Sequence, residues 1–169
     1  MGEGAAAFVL EASVAAPPVH ECVIALETFS EGAHLCQVEG GGHRLTPYEY
    51  DPAQRARYQF HMDGKAVHKL ASRLLPPLVN RVLREAKIAL NEIDVVPHQA
   101  SGPAVELISR RLGIAPEKLH ASIAGHGNLL AASIPFVLHG VRAARPAGTR
   151  VLLIGTAAGY TQAAAVITL

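Results

Sequence analysis

Three short segments place polar side chains and glycines directly after apolar runs, where reactive groups can meet. They are residues 96–100 (Val-Pro-His-Gln-Ala), 125–128 (Gly-His-Gly-Asn) and 155–161 (Gly-Thr-Ala-Ala-Gly-Tyr-Thr). A neutral imidazole and a carboxamide both donate hydrogen bonds, so His98 and Asn128 could together stabilise the oxyanion of an enolate or a tetrahedral intermediate. A glycine turn lets a backbone N–H approach a second oxyanion, which makes Gly159 a candidate donor.

Spacing alone leaves a structural role open at each of these positions. A histidine after an apolar strand often serves the fold, an asparagine before a helix is commonly its N-cap, and glycine turns commonly join strands. His126 and His68 have no carboxylate or second histidine at ligand spacing beside them, so no metal site is predicted. Cys22 and Cys36 form no CxxC pair and lie outside any helix start that would lower a thiol pKa, which favours structural roles.

The elements that position these loops alternate between strands and helices. Asp63 is predicted to cap a helix from Gly64 that Pro76-Pro77 kink or split, with a second segment continuing to about Ala89. Further helices are predicted from Gly102 or Pro103 to Gly113, and from Asn128 to about Ala144. Predicted strands cover residues 94–98, 120–124, 151–154 and 163–169. This order indicates an α/β fold, a mostly parallel sheet with helices on both faces and an antiparallel last strand. The three loops would then converge at one sheet edge.

The N-terminal third follows a different pattern. Residues 5–11 and 22–29 are predicted strands, separated by a break at residues 15–18. Residues 33–62 contain three consecutive glycines and two prolines, and are predicted to form a long irregular loop with either a functional or a connecting role.

Five segments, in order, resemble β-ketoacyl-acyl-carrier-protein synthase III, a condensing enzyme of the thiolase superfamily. Residues 94–100 (Asp-Val-Val-Pro-His-Gln-Ala) resemble its histidine segment, and residues 125–128 with 131–135 (Ala-Ala-Ser-Ile-Pro) resemble its asparagine segment. Residues 158–161 are similar to its glycine-rich turn, residues 2–11 to a glycine-rich strand, and residues 61–67 to the start of its long helix. The resemblance therefore extends over nearly the whole chain.

The resemblance implies the C-terminal half of a thiolase-like fold. Residues 1–62 would be a remnant of the N-terminal half and residues 63–169 the C-terminal domain. The two N-terminal strands would belong to the missing half and lack pairing partners here. An unpaired apolar edge invites another chain, so an oligomer such as a dimer, or a companion subunit, is expected.

The resemblance also implies a transferase activity in fatty acid or polyketide synthesis. His98 and Asn128 would hold the oxygen of a malonyl thioester as it is decarboxylated, and the N–H of Gly159 would hold the acyl oxyanion. Gln99, Ala100 and Gly127 would contact the substrate. Thioesters of coenzyme A or acyl-carrier protein would be substrates, and no separate cofactor is implied. Ser101 and Gly102-Pro103 depart from the family pattern in the loop that contacts carrier protein.

The nucleophilic cysteine of this family lies upstream of every matched segment. An acyltransferase built from this chain would therefore need a cysteine from another chain or from the missing half. Two alternatives remain open: a non-catalytic partner subunit that stabilises a condensing enzyme, and a fragment without activity of its own.

Composition bounds these hypotheses. The chain has 169 residues, of which 50% are hydrophobic and 17% charged, enough apolar surface for a folded core. A formal net charge of +1 gives no long-range attraction to nucleic acid or an anionic membrane. No signal peptide is predicted, and residues 151–169 read as two buried strands rather than a membrane span, so the expected location is the cytoplasm.

Overall fold

The computed structural model describes residues 1–9 and 22–169. The strands are β1 Val23–Thr28, β2 Cys36–Gln37, β3 His61–Met62, β4 Asp94–Pro97, β5 Arg150–Ala157 and β6 Thr161–Thr168. The α-helices are α1 Gly64–Glu85, α2 Gly102–Leu112, α3 Ile123–His126 and α4 Ser133–Ala144. Short 3₁₀ helices cover Ser30–Leu35, Pro47–Glu49, Pro52–Tyr58, Leu90–Glu92, Pro116–Lys118 and Leu130–Ala132.

The main sheet has the strand order β1-β6-β5-β4. Strands β4 and β5 are parallel, with Asp94 opposite Val151 and Pro97 opposite Ile154. Strands β5 and β6 form an antiparallel hairpin, and β1 pairs antiparallel with the far side of β6. The predicted α/β fold with an antiparallel last strand is thus confirmed, although the described strands form one parallel and two antiparallel pairings where a mostly parallel sheet was predicted.

Helices cover both faces of this sheet, as predicted. On one face α1 and α2 pack over a core that includes Leu75, Leu78, Val82, Val95, Leu152 and Val166. On the other face α4 packs Val137, Leu138 and Val141 against Val96 and Val151. Neighbouring Val95 and Val96 reach opposite cores because successive strand side chains point to opposite faces. Each fully buried aliphatic side chain contributes about 1.5–3 kcal/mol, so these two cores hold β4 and β5 firmly in place.

Helix α1 begins as predicted, but it does not split. The Asp63 carboxylate accepts a hydrogen bond from Ala66 N at 2.9 Å and caps the first turn. Pro76 and Pro77 lie inside one continuous helix, so the predicted division is wrong. Leu75 and Leu78, each 1% exposed, anchor the helix on both sides of the prolines, and this packing outweighs the lost backbone hydrogen bonds.

The end of α1 also differs from the prediction. The helix stops at Glu85 instead of about Ala89, and Lys87 has a left-handed φ of 50°. Helix α2 has the predicted bounds. Ser101 Oγ accepts from Ala104 N at 3.2 Å, and Gly113 ends the helix with a φ of 73°, a conformation that glycine adopts without strain.

The strand predicted at residues 120–124 is wrong. Leu119 makes a single parallel bridge to Val95, and His120 N donates to Val95 O at 2.9 Å. The chain then turns into α3. Ser122 N and Ile123 N donate to the Gln99 side chain, so these two amides are not available to extend the pairing with β4. Only one of the three pairings in the main sheet is therefore parallel.

The N-terminal predictions are partly corrected. Residues 5–9 are exposed and form no strand, while residues 10, 11 and the break at 15–18 lie outside the described residues. Strand β1 is confirmed, but the prediction that it lacks a partner is wrong, since it pairs with β6 from Val23↔Val166 to Thr28↔Thr161. The alternating apolar pattern of β1 places Val23 and Ala25 on the α1 side of this sheet. The main sheet therefore contains strands from both sides of the predicted domain boundary between residues 62 and 63.

The segment 33–62 contains more order than predicted. Strands β2 and β3 pair antiparallel, with Cys36 opposite Met62. Arg57 Nη2 contacts Glu39 Oε1 at 2.7 Å, and Tyr58 OH donates to Thr46 O at 3.0 Å. Polar contacts rather than an apolar core hold this segment together. Across the described ranges, no helix is long and apolar enough to cross a lipid bilayer.

Candidate active site

His98 lies immediately after β4, at the carboxyl end of the sheet. Its backbone N–H donates to Ile154 O at 2.7 Å, which extends the β4–β5 pairing and fixes where the side chain begins. Burial lowers the pKa of the imidazole below its ordinary value, so the ring is predominantly neutral at pH 7. A neutral imidazole carries one N–H donor, which can donate a hydrogen bond to a developing oxyanion.

The Asn128 carboxamide has a fixed orientation. Its Oδ1 accepts from Leu130 N at 2.8 Å, and the Ser133 hydroxyl lies 3.5 Å from the same oxygen. Its Nδ2 donates to Ala100 O at 3.2 Å. Asn128 is not the N-cap of a helix as predicted, because α4 begins at Ser133 and Leu129 is the N-cap of the 3₁₀ turn before it; Asn128 Oδ1 instead accepts from Leu130 N in an Asx-type turn. One N–H of the amide is engaged with the His98 loop and the other is available to a ligand.

Gln99 is fully buried, with 0% of its surface exposed. Its Nε2 donates to Pro97 O at 2.6 Å, and its Oε1 accepts from Ser122 N at 2.9 Å and Ile123 N at 3.1 Å. The prediction that the Gln99 side chain contacts a substrate does not agree with these bonds, because both ends of the amide are occupied by backbone groups. Gln99 instead ties the end of β4 to the start of α3.

Two sets of hydrogen bonds therefore join the histidine loop to the asparagine loop. Gln99 holds the amino end of α3, and Asn128 just beyond the carboxyl end of α3 bonds Ala100. Ala100 N donates in turn to His98 O at 3.0 Å, which makes the histidine loop a tight turn. The structure thus brings His98, Ala100 and Asn128 to one edge of the sheet.

The first residues of the chain pack against the asparagine loop. Gly2 N donates to Asn128 O at 2.9 Å. A Cβ at Gly2 would collide with the carbonyl oxygen of His126, so only glycine allows this approach. Gly127, with a φ of 68°, lies directly beside Gly2 and is partly covered by it. The strand predicted from the sequence began at residue 5 and left this contact out, although the Gly-x-Gly pattern at positions 2 and 4 was a usable signal.

The third loop joins β5 to β6 at the same end of the sheet. Gly159 has a φ of 124°, and the neighbouring Tyr160 exchanges two backbone hydrogen bonds with Phe29, at 2.8 and 3.1 Å. The ring of Tyr160 is 2% exposed, and burial raises the pKa of its hydroxyl to about 12. Since Pro97 lies opposite Ile154 and β5 continues three residues further, this turn begins about 10 Å beyond Pro97 along the strand direction.

Neither cysteine has the surroundings of a nucleophile. Cys22 is exposed and precedes β1, at the opposite end of that strand from the Gly159 turn. Burial raises the pKa of the Cys36 thiol, which disfavours the reactive thiolate. In the part of the chain that the structure describes, no three His, Cys, Asp or Glu side chains gather as metal ligands would.

A second polar cluster, which sequence reasoning missed, lies at the amino end of β4. Asp94 is 4% exposed and contacts His120 Nε2 at 2.7 Å, Arg145 Nη2 at 2.8 Å and Lys118 Nζ at 3.9 Å. Burial on its own would raise the pKa of this carboxyl, but the hydrogen bonds from His120 and Arg145 and the charges of Lys118 and Arg145 outweigh it and lower the pKa. A charged residue opening an otherwise apolar strand was the signal for this cluster.

Comparison with known proteins agrees with this architecture. Residues 83–169 match the family described as 3-oxoacyl-[acyl-carrier-protein (ACP)] synthase III C terminal. The chain is 34% identical over 170 residues to the β-ketoacyl-[acyl-carrier-protein] synthase III of Nitratidesulfovibrio vulgaris strain DP4, covering 98% of this chain and 51% of that relative. The Acholeplasma laidlawii enzyme of the same name is 32% identical over 107 residues, which cover 63% of this chain and 34% of the relative.

Solved structures of the same family have the same fold. The enzyme from Thermus thermophilus superposes with a TM-score of 0.74 at 29% identity, over 87% of this chain and 45% of the other. The enzyme from Pseudomonas aeruginosa PAO1 gives a TM-score of 0.71 at 28% identity, over 86% of this chain and 43% of the other. The chain thus spans about half the length of the Nitratidesulfovibrio vulgaris relative. With its C-terminal half matched in sequence and its fold shared, the chain belongs to the 3-oxoacyl-[acyl-carrier-protein] synthase III C-terminal family of condensing enzymes.

Proposed function

We infer that this chain is the C-terminal part of an acyltransferase that condenses an acyl thioester with a malonyl thioester. The observation that carries this proposal is the joining of the two loops, in which Asn128 Nδ2 donates to Ala100 O beside a half-buried, neutral His98. Two neutral donors at one edge of a sheet suit an oxygen that gains negative charge during the reaction.

In the proposed reaction, a cysteine outside this chain first carries the acyl group as a thioester. The malonyl thioester then loses its carboxylate as CO₂, and the electron pair of the broken C–C bond forms an enolate. His98 and Asn128 donate hydrogen bonds to the enolate oxygen. The enolate carbon attacks the acyl carbon, and the tetrahedral intermediate collapses to a 3-oxoacyl thioester and a free cysteine thiolate.

Gly159 has the proposed role of holding the oxyanion of that tetrahedral intermediate through its backbone N–H. Its position supports this role, because the turn projects beyond the ends of β4 and β5 on the side where His98 lies. Ala100 and Gly127 flank the two donors and are the proposed backbone contacts for the thioester. Coenzyme A or acyl-carrier protein would supply the thioester, and no other cofactor is proposed.

The cysteine is proposed to come from an N-terminal half that completes the enzyme. The share of its relatives that this chain covers supports this, as do Ile24 and Leu26 on β1, which are 64% and 65% exposed. Exposed apolar side chains on one face of an edge strand favour contact with another protein surface.

The test is to co-express this chain with a cysteine-bearing N-terminal half, taken from the Nitratidesulfovibrio vulgaris relative. The purified pair should take up radiolabelled acyl groups on that cysteine and release 3-oxoacyl product when malonyl thioester is added. His98→Ala should abolish product formation and spare acyl uptake. His139→Ala, which removes an exposed histidine on α4, is the matched control and should leave both steps intact. Product formation that survives His98→Ala would show that the assigned role is wrong.

A non-catalytic partner subunit is the second candidate, and one observation favours it. One N–H of Asn128 donates to Ala100 O, and its Oδ1 accepts from Leu130 N, so the carboxamide already has a structural role. A pair that acylates its cysteine and condenses equally well with and without the Asn128 amide would favour this alternative.

A further inference from the structure

We propose that Gln99 is a positioning residue, which sets the placement of Asn128 relative to His98 by clamping the amino end of α3 to the end of β4. The proposal rests on the proposed function for its consequence in catalysis. Its structural basis stands on the hydrogen bonds of Gln99 alone.

The Gln99 side chain is buried away from solvent, and both its nitrogen and its oxygen form hydrogen bonds. It is 0% exposed, and its amide bridges three backbone groups: Pro97 O, Ser122 N and Ile123 N. A buried amide that satisfies three backbone groups is expensive to replace, because an apolar substitute leaves each of them without a partner. The bridge is therefore a rigid joint between two segments that are distant in sequence.

The joint lies between the two proposed oxyanion donors. Gln99 directly follows His98, and the backbone amides that it holds begin the single turn of α3, which ends at His126 just before Gly127 and Asn128. Since α3 is only one turn long, a displacement of Ser122 would also displace Asn128. The weaker bond from Asn128 Nδ2 to Ala100 O, at 3.2 Å, then sets only the final orientation of the carboxamide.

The missing strand at residues 120–124 supports the same role for Gln99. Pairing with β4 is limited to one bridge at Leu119, because the amides of Ser122 and Ile123 bond to Gln99 instead of continuing beside β4. The glutamine thus redirects the chain from a strand into the turn that carries Asn128. A misplacement of about 1 Å between reacting groups can cost on the order of a hundredfold in rate, so such a joint bears directly on catalysis.

The test compares Gln99→Met, Gln99→Glu and Gln162→Met. The methionine variant keeps the length of the side chain and loses all three bonds. The glutamate variant keeps an acceptor for Ser122 N and Ile123 N and loses only the donor to Pro97 O. Gln162 is the matched control, since it is also 0% exposed and bonds Glu27 and Leu74 O but none of the three backbone groups that Gln99 holds.

The first readout is amide hydrogen exchange and the Asn128 side-chain NH₂ resonances, measured by NMR on this chain alone. Gln99→Met should speed exchange at Ser122 and Ile123 by roughly tenfold beyond any global change and shift the Asn128 NH₂ signals. Gln99→Glu should restore protection of both amides. Gln162→Met should change global exchange without a local effect at these two amides. Unchanged protection in Gln99→Met would overturn the proposal.

The second readout is condensation by the reconstituted pair. Gln99→Met should lower kcat by roughly ten- to a hundredfold with KM for the malonyl thioester nearly unchanged, and Gln99→Glu should recover part of that loss. Gln162→Met should leave kcat within about twofold of the unmodified chain at temperatures where it is folded. An equal loss of kcat in Gln162→Met would mean general destabilisation and would overturn positioning. If the unmodified pair is inactive, the proposed function fails, while the exchange experiment still decides whether Gln99 is the joint.

Discussion

The two ends of β4 carry polar clusters with opposite character. At the amino end, the carboxylate of Asp94 is surrounded by Lys118, His120 and Arg145. At the carboxyl end, burial lowers the pKa of the half-buried His98 ring, and among the described residues the ring has no ion-pair partner and the second N–H of Asn128 has no acceptor. Both clusters lie on the same short, fully buried strand.

The difference teaches how to separate structural from functional polar groups. At Asp94 the buried carboxylate accepts from His120 and Arg145 through one oxygen and has Lys118 at 3.9 Å from the other, so removing one of these partners would leave a buried charge less well compensated. The half-buried His98 ring forms no side-chain hydrogen bond to the described residues, so its N–H can reach an acceptor that a ligand or a transition state supplies. The carboxyl end of β4 is accordingly where the proposed reaction would take place, and the amino end fastens the strand to the end of α4 and to the Pro116–Lys118 turn.

The sharpest way to break this comparison is Asn128→Asp in the reconstituted pair. The carboxylate keeps the acceptor that caps Leu130 N but loses the N–H donors, so decarboxylation of malonyl thioester should fall on the order of 100- to 1000-fold. The free energy of unfolding of the chain should change by less than about 1 kcal/mol. Full activity in this variant would show that Asn128 is only a cap.

Asp94→Asn tests the other end of the strand. Removal of the charge leaves Arg145 and His120 with a weaker acceptor, and urea denaturation should show a loss of about 2 kcal/mol. Condensation below the melting temperature should be unchanged. Glu106→Gln, which breaks the exposed pair with Arg110, is the matched control and should cost less than about 0.5 kcal/mol. Equal losses in the two variants would contradict the role assigned to burial at Asp94.

Acid should then destabilise the amino-end cluster in a defined pH window. Because the folded-state pKa of Asp94 lies below its unfolded value, its contribution is fully present above about pH 4 and is lost as pH falls through the folded pKa. Urea midpoints measured between pH 2 and pH 5 should fall less steeply in Asp94→Asn than in the unmodified chain. Parallel curves for the two proteins would mean that Asp94 gains nothing from its neighbours.

The smallest effect is expected from His98, and in a separate pH window. Its folded-state pKa is lowered by burial, so it contributes stability above about pH 6.5 that is lost as pH falls through the folded pKa. The ¹³C shift of the ring should report a midpoint below that of a free histidine, and His98→Ala should flatten the stability curve only in this window. A midpoint at or above the ordinary value would indicate an anionic partner for the ring and would remove the contrast between the two ends.

Much of the fold was predictable because its signals are local. The Asp63 and Ser101 caps, the Gly113 stop and the apolar run that became β4 each depend on a few neighbouring residues. Continuity of α1 through Pro76 and Pro77 was not predictable, because packing on both sides of the prolines decided it. The partner of β1 was missed for the same reason, since strand pairing joins segments more than a hundred residues apart.

The sequence by itself determined the family and the identities of His98 and Asn128, because side-chain chemistry and motif order are written directly in the chain. Only the tertiary structure decided that the buried Gln99 amide bonds three backbone groups, that Asp94 lies among Lys118, His120 and Arg145, and that Gly2 lies against Asn128. These features depend on burial and on hydrogen bonds between remote segments. Such bonds form only once the cores on both faces of the sheet have fixed where each loop begins.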